Sequence, residues 1–281
     1  MSHVAVIGAG DLGGAIAQAL AGRDRVRAVL LIDTAGAAAR GKALDILQSG
    51  PVDSFHCRVE GTDDFTAVTG ASACILADRF GPPAAEWHGD AALAMLGRLL
   101  PFTSGAPLLF AGAAQAEVML RAARELGVPR ERLIGSAPEA YASAVRAIVA
   151  LEARCSPTEV MLSVLGTPPE FVVPWSEASI GGYALERVLT QVQLTRVDAR
   201  AAKLWPPGPF TLGTAAARAA EAIATSSRRT FSALTLLGGE FGVRNRIGAL
   251  PALLSTGGIA AVRVPSLNTR ERVQLETALG A

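Results

Sequence analysis

A short apolar run, Val4-Ala5-Val6-Ile7, leads straight into Gly8-Ala9-Gly10-Asp11-Leu12-Gly13-Gly14. Glycines at 8, 10 and 13 make the pattern G-x-G-x-x-G, set between a buried strand and an alanine-rich helix over Leu12–Ala21. In that setting each glycine has a mechanical task. The first allows a tight turn, the second lets backbone approach a pyrophosphate, and the third lets helix and strand pack closely. The free N–H groups and positive dipole end of the helix then favour an anion. Gly8, Gly10, Asp11, Leu12 and Gly13 are therefore the expected phosphate seat. A second apolar run ends in Leu31-Ile32-Asp33, which puts a carboxylate 25 residues after Gly8. That is close to where an acidic side chain meets the ribose hydroxyls of a dinucleotide, and it favours NAD over NADP. The same glycines also serve a turn of this architecture that has lost its ligand, so the motif alone leaves both readings open.

The rest of the first half repeats the alternation. Ala28–Ile32, Ala73–Leu76 and Leu108–Ala111 are continuous apolar runs of the kind buried on both faces of a parallel sheet. Helices are predicted over Ala37–Leu47, Ala91–Leu100 and Glu117–Leu126, the last stopped by Gly127 and Pro129. Strand–helix alternation at this spacing predicts an α/β fold with a doubly wound parallel sheet. After Ser136 the texture changes. Pro138–Ala153 reads as one helix. Thr158–Leu165 and Phe171–Val173 read as strands, and Leu185–Leu204 reads as a helix ended by Trp205-Pro206-Pro207. A helix over Thr214–Ala224 and strands over Phe231–Leu237, Ala249–Ser255 and Ile259–Val264 follow, with Thr269–Leu279 as a closing helix. The expected division is a dinucleotide-binding domain over 1–136 and an α+β domain over 137–281.

Composition narrows the function classes. Lysine and arginine number 26 against 25 aspartates and glutamates, so no basic footprint for nucleic acid or an anionic membrane exists. Cys57, Cys74 and Cys155 are scattered and odd in number, with neither metal-ligand spacing nor a disulfide framework, which suits a reducing cytoplasm. The most apolar stretch, Gly105–Leu120, is interrupted by Pro107, Gln115 and Glu117 and is too short to span a bilayer. No basic segment precedes the first apolar run, so no secretory leader is expected.

Several further segments resemble the lactate/malate dehydrogenase family, nearest to its malate dehydrogenases that are similar to lactate dehydrogenase. Gly41-Lys42-Ala43-Leu44-Asp45-Ile46 is similar to that family's "GKALDL" helix. Val128-Pro129-Arg130-Glu131-Arg132-Leu133-Ile134-Gly135 resembles the strand entering its second domain. Val164-Leu165-Gly166 resembles the start of its catalytic strand, and Gly239-Glu240-Phe241-Gly242 and Ala249-Leu250-Pro251-Ala252 resemble later motifs. The resemblance runs end to end. It implies a Rossmann sheet followed by that family's α+β domain, with NAD as cofactor and a homodimer or homotetramer as the assembly.

The chemistry that the resemblance implies is not matched. Where the family carries the histidine of "G-G-H-G-D" as general base, this chain has Gly166-Thr167-Pro168-Pro169-Glu170, and Pro168 cannot exchange a proton. Tyr141 stands for the aspartate that orients that histidine, and Ala144 for the arginine that grips the substrate carboxylate. In the family's mobile loop both arginine positions are replaced, by Pro82 and His88. No guanidinium fork remains at the matched places to hold a carboxylate. Asp78 and Arg79 replace small residues that lie against the dinucleotide in the family, and a carboxylate at 78 would repel pyrophosphate unless Arg79 neutralised it. Two readings follow. One is a catalytically degenerate homologue that keeps adenine-dinucleotide binding as a sensor, scaffold or subunit partner. The other is an NAD-dependent oxidoreductase with relocated residues, for which His88 and Glu170 are the candidates. Trp175 and Trp205 read as core or interface residues. No metal site is expected.

Overall fold

The computed structural model describes residues 3–81 and 85–280. It begins with β1 (His3–Ile7), α1 (Asp11–Arg23), β2 (Ala28–Ile32), α2 (Gly36–Asp53), β3 (Arg58–Thr62) and β4 (Ala71–Leu76). Two more strands of the first half, Leu108–Phe110 and Leu133–Gly135, complete a six-stranded parallel array, with helices Gly89–Leu99 and Ala116–Glu125 between them. Across the sheet these strands run β3, β2, β1, β4, Leu108–Phe110, Leu133–Gly135. That is the doubly wound order in which the chain reverses between β1 and β4, and a crevice opens at the carboxyl ends of those two strands.

The array passes into the second half without a break. Gly135 pairs with Leu234 of the antiparallel strand Thr230–Gly238, which pairs in turn with Arg244–Ser255. A side chain on Gly135 would come within 2.7 Å of the Leu234 Cβ, so glycine is what lets the sheet continue there. The change from parallel to antiparallel falls beside Ser136, while one apolar core, from Val4 and Ile16 to Ala216, Ile223 and Leu254, draws on both halves.

Most elements form where their periodicity predicts, although the helix over Thr214–Ala224 and the strand over Ala249–Ser255 each begin five residues earlier than expected, at Pro209 and Arg244; three other readings are corrected more deeply. Thr158–Leu165 is not one strand. It divides into a short helical turn (Pro157–Glu159), a two-residue strand (Val160–Met161) and the start of Leu165–Thr167. Leu185–Leu204 is two helices, Leu185–Val188 and Gln191–Ala201. The second is restarted by a capping box in which the Thr190 side chain and Gln193 satisfy each other's backbone N–H. The helix predicted over Ala37–Leu47 runs on to Asp53, carrying Pro51 in its last turn.

No described helix is long and apolar enough to cross a membrane, and the described residues hold no group of three metal-ligating side chains. All three cysteines are free. Burial pushes the Cys57 thiol up to about 11 and the Cys74 thiol up to about 12, from an ordinary 9.0. Because the folded values are raised, the stability gained by keeping these thiols neutral is complete below pH 9 and is lost as pH climbs from there through about 12. A thiol reagent at pH about 8 should therefore label half-exposed Cys155 alone in the native protein, and all three cysteines after unfolding. Rapid native labelling of two thiols would contradict this burial.

Candidate functional site

β1 delivers the chain to Gly8 with φ +114°, a left-handed conformation open to glycine, and α1 starts three residues later. The turn is held by contacts from β2 and from the residues after β4. The Gly8 N–H donates to the Ile32 carbonyl at 2.7 Å, and the Gly10 N–H donates to the Asp78 carbonyl at 3.1 Å. Gly8 and Gly13 are required sterically: a Cβ on Gly8 would strike the Asp78 backbone, and one on Gly13 would strike the Gly8 carbonyl. These are the close approaches that the spacing of glycines predicts.

The donors at the head of α1 are already engaged. The Leu12 N–H donates to Asp78 Oδ2 at 3.1 Å, and the Gly13 N–H donates to Asp78 Oδ1 at 2.8 Å. Asp78 is 6% exposed. It caps the helix from 66 residues away in sequence, meeting donors that the first turn cannot satisfy internally. Arg79 does not neutralise it. That guanidinium instead lies 5.3 Å from the centre of the Trp87 ring. Lys42 is the cation at the turn, and its Nζ donates to the Gly10 carbonyl at 2.7 Å. As arranged, the turn does not fit a pyrophosphate, because the N–H groups that would hold it are spent on Asp78.

Asp33 stands at the end of β2 as expected and is 1% exposed. It too is committed. Its Oδ2 accepts from the Ala9 N–H at 2.8 Å and the Phe80 N–H at 3.0 Å, and its Oδ1 accepts from the Ala35 N–H at 2.9 Å. Asp11 is exposed at the first position of α1.

Across the crevice a third carboxylate repeats the arrangement. Glu86 accepts from the Ala113 N–H at 2.8 Å and the Ala114 N–H at 2.9 Å, on the loop after Leu108–Phe110. The cleft between the two loops measures about 420 Å³ and is lined by Asp11, Leu12, Asp78, Glu86, Ala113, Ala114, Leu212, Trp205 and the prolines at 206, 207 and 209. Its charged lining is wholly acidic among the described residues. A larger groove of about 1220 Å³, with arginines at 23, 146, 218, 229 and 263, shares none of these residues.

The positions matched by resemblance to proton transfer and carboxylate binding lie in the second half and before the helix Gly89–Leu99. Pro168 occupies the turn between Leu165–Thr167 and Glu170–Val172, and Glu170 is exposed. Tyr141 is 5% exposed on the helix Ala137–Ala153. Its ring stacks on Phe171 at 5.1 Å, Phe171 meets Trp205 at 4.7 Å, and its hydroxyl donates to the Ala201 carbonyl at 3.2 Å. Burial, with the Asp198 charge second, raises its phenol above the ordinary tyrosine value. Ala144 lies one turn further along the same helix and brings no charge. His88 is an exposed residue at the cap of Gly89–Leu99, makes no capping bond and does not line the cleft. Pro82 lies outside the described residues. Trp205 is a wall of the cleft and packs in the aromatic cluster, while Trp175 donates to Asp198 at 3.2 Å. Glu86 is a cleft residue that the sequence does not single out. Nothing local marks it, since its partners are backbone groups on a distant loop.

No family profile matches the chain. Individual relatives do, over nearly its whole length. A malate dehydrogenase from Salinibacter ruber is 26% identical over 298 residues, covering 99% of this chain and 93% of the relative. One from Thioalkalivibrio sulfidiphilus is 28% identical over 296 residues, covering 99% and 96%. The solved Salinibacter ruber malate dehydrogenase superposes with a TM-score of 0.87 at 25% identity, covering 99% of this chain and 94% of that one. The lactate dehydrogenase of Cryptosporidium parvum, solved with lactic acid and β-nicotinamide adenine dinucleotide, superposes with a TM-score of 0.89 at 22% identity, covering 99% and 95%. The fold is that of these dehydrogenases.

Proposed function

We propose, from the malate/lactate dehydrogenase membership that the relatives and structural neighbours support, that this chain is a catalytically degenerate homologue which responds to an adenine dinucleotide without oxidising a 2-hydroxy acid. The observation that carries this reading is the cleft. A malate or lactate carboxylate entering it meets Asp11, Asp78 and Glu86 and no cation on the described lining. The cleft offers that carboxylate no guanidinium or ammonium partner, the paired backbone N–H groups facing it are taken by Asp78 and Glu86, and like charges in a confined space repel. The position matched to the general base is Pro168, and Tyr141 is tied to Ala201 within an aromatic cluster rather than aimed at a substrate.

NAD is the cofactor seen in the Cryptosporidium parvum neighbour, and we assign it here as the ligand, bound more weakly than in an enzyme that leaves its glycine turn open. The domain division at Ser136 belongs to the same proposal, as do a cytoplasmic setting and a homo-oligomer. For assembly, α2 turns Leu44, Leu47 and Val52 to the surface, whereas the alanines of Pro209–Thr225, except the half-buried Ala224, are buried within the chain. The test is calorimetry of NAD and ADP-ribose on the wild-type protein. Comparable affinities support a site to which the nicotinamide contributes little. An NAD affinity far above that of ADP-ribose would reveal a working nicotinamide pocket and favour an active oxidoreductase.

A further inference from the structure

The phosphate seat of this fold consists of backbone donors made approachable by glycine, and here both sets of such donors facing the cleft hold a carboxylate of the chain itself. At the first, Asp78 receives two N–H groups of α1 in a forked arrangement, and its own carbonyl takes a third from Gly10. At the second, Glu86 receives the paired N–H groups of Ala113 and Ala114. The missing side chains are used for this purpose. A Cβ on Gly10 would overlap the Asp78 carboxylate, and a Cβ on Gly112 would overlap that of Glu86. Glycine at position 10, which elsewhere admits phosphate, here admits an aspartate.

From this we infer that Asp78 is a tethered competitor for the pyrophosphate of a dinucleotide: the seat is closed by the chain, and a phosphate-bearing ligand gains it only by displacing the carboxylate. The inference rests on NAD being the ligand class. Two anions cannot share the Leu12 and Gly13 donors, and Asp78 has no guanidinium beside it to soften their repulsion, since Arg79 is turned onto Trp87. A capping residue with no bearing on ligands would have the same bonds, so ligand affinity is what separates the two roles. Asp78 thereby acts as a specificity-determining residue. It selects against ligands that need the helix N-terminus for phosphate and leaves ligands that do not unaffected.

The experiment compares the full-length wild type with Asp78→Ser, which vacates the seat, and with Asp78→Asn, which keeps the shape and removes the charge. Calorimetry with NAD, ADP-ribose and adenosine should show Asp78→Ser binding both dinucleotides at least tenfold more tightly than wild type, with Asp78→Asn in between and adenosine unchanged. The melting temperature of Asp78→Ser should fall and be restored by millimolar inorganic pyrophosphate, which should not move that of the wild type. Should Asp78→Ser not fold, Asp78→Asn carries the comparison. Equal NAD affinity in the wild type and the folded variants overturns the competitor role while leaving NAD binding itself intact. NAD binding by the variants alone supports the competitor role and instead removes NAD responsiveness from the wild type. Absence of binding in all three proteins, with no pyrophosphate rescue, overturns the competitor role.

Discussion

Purified protein given NAD with malate or lactate is expected to form no NADH above background. An ordinary enzyme turns over between about one and a thousand times per second, and a positioned acid or base alone supplies about a hundred- to ten-thousandfold of its rate. On the proposed reading, Pro168, in the turn between Leu165–Thr167 and Glu170–Val172, stands where the resembled family carries its base, and Ala144 offers no charge to a carboxylate. The cleft adds an electrostatic barrier, because every charged group on its described lining is a carboxylate. On that reading the losses of proton transfer and of substrate binding compound each other, so the expected deficit spans many orders of magnitude. Continuous absorbance measurement at high enzyme concentration checks this, and turnover of about one per second with either acid would overturn it.

The second large effect is on stability. Asp33→Ala should cost about 3 kcal/mol of unfolding free energy, measured by denaturant titration at neutral pH. Asp33 is the common acceptor for the N–H groups of Ala9, Ala35 and Phe80, and so ties the glycine turn, the start of α2 and the segment after β4 to one buried point. Truncation strands the Ala9 donor in the interior, while the other two, in partly buried surroundings, recover some hydration. Each unmet buried donor costs about 1–3 kcal/mol. A loss below about 1 kcal/mol would mean that all three donors find other partners. The result bears on function, because an Asp33 variant that binds NAD poorly has to be shown folded before the loss is credited to the ribose.

Much of the first half was readable because its strands are buried on both faces and its helices end at explicit signals. Leu108–Phe110 and the helix that Gly127 stops fall within a residue or two of their expected limits. β3 is absent from the strands read off the sequence. As the edge strand, with Arg58 and Glu60 pointing to solvent, it lacks a continuous apolar run. The break before Gln191 had a visible cause, Thr190 followed three residues later by Gln193, which the helical run of Leu185–Leu204 concealed. At the site, the sequence pointed to Asp78 as an obstacle to phosphate. It could not reveal that the obstacle sits in the seat, because a cap delivered from 66 residues away is set by how β1 and β4 pair, not by local pattern. The role of Glu86 is set in the same way, by a loop 27 residues away in sequence.

One seam in the core limits how the molecule can move. α1 lies against the second-half helix Pro209–Thr225, and the contact is so near that a Cβ on Gly213 would come within 2.9 Å of the Ala15 Cβ and 3.0 Å of the Ala15 carbonyl carbon. Small residues make the closest approach, Ala15 against Gly213, and an Arg23–Glu221 ion pair clasps the same two helices, so sliding one on the other would disturb both contacts. A dehydrogenase of this architecture that worked by shear would need such play along this line. In this chain the close fit favours the helix bearing the glycine turn moving together with Pro209–Thr225, which leaves the segment after β4, where Asp78 stands, as the side from which the turn can be rearranged.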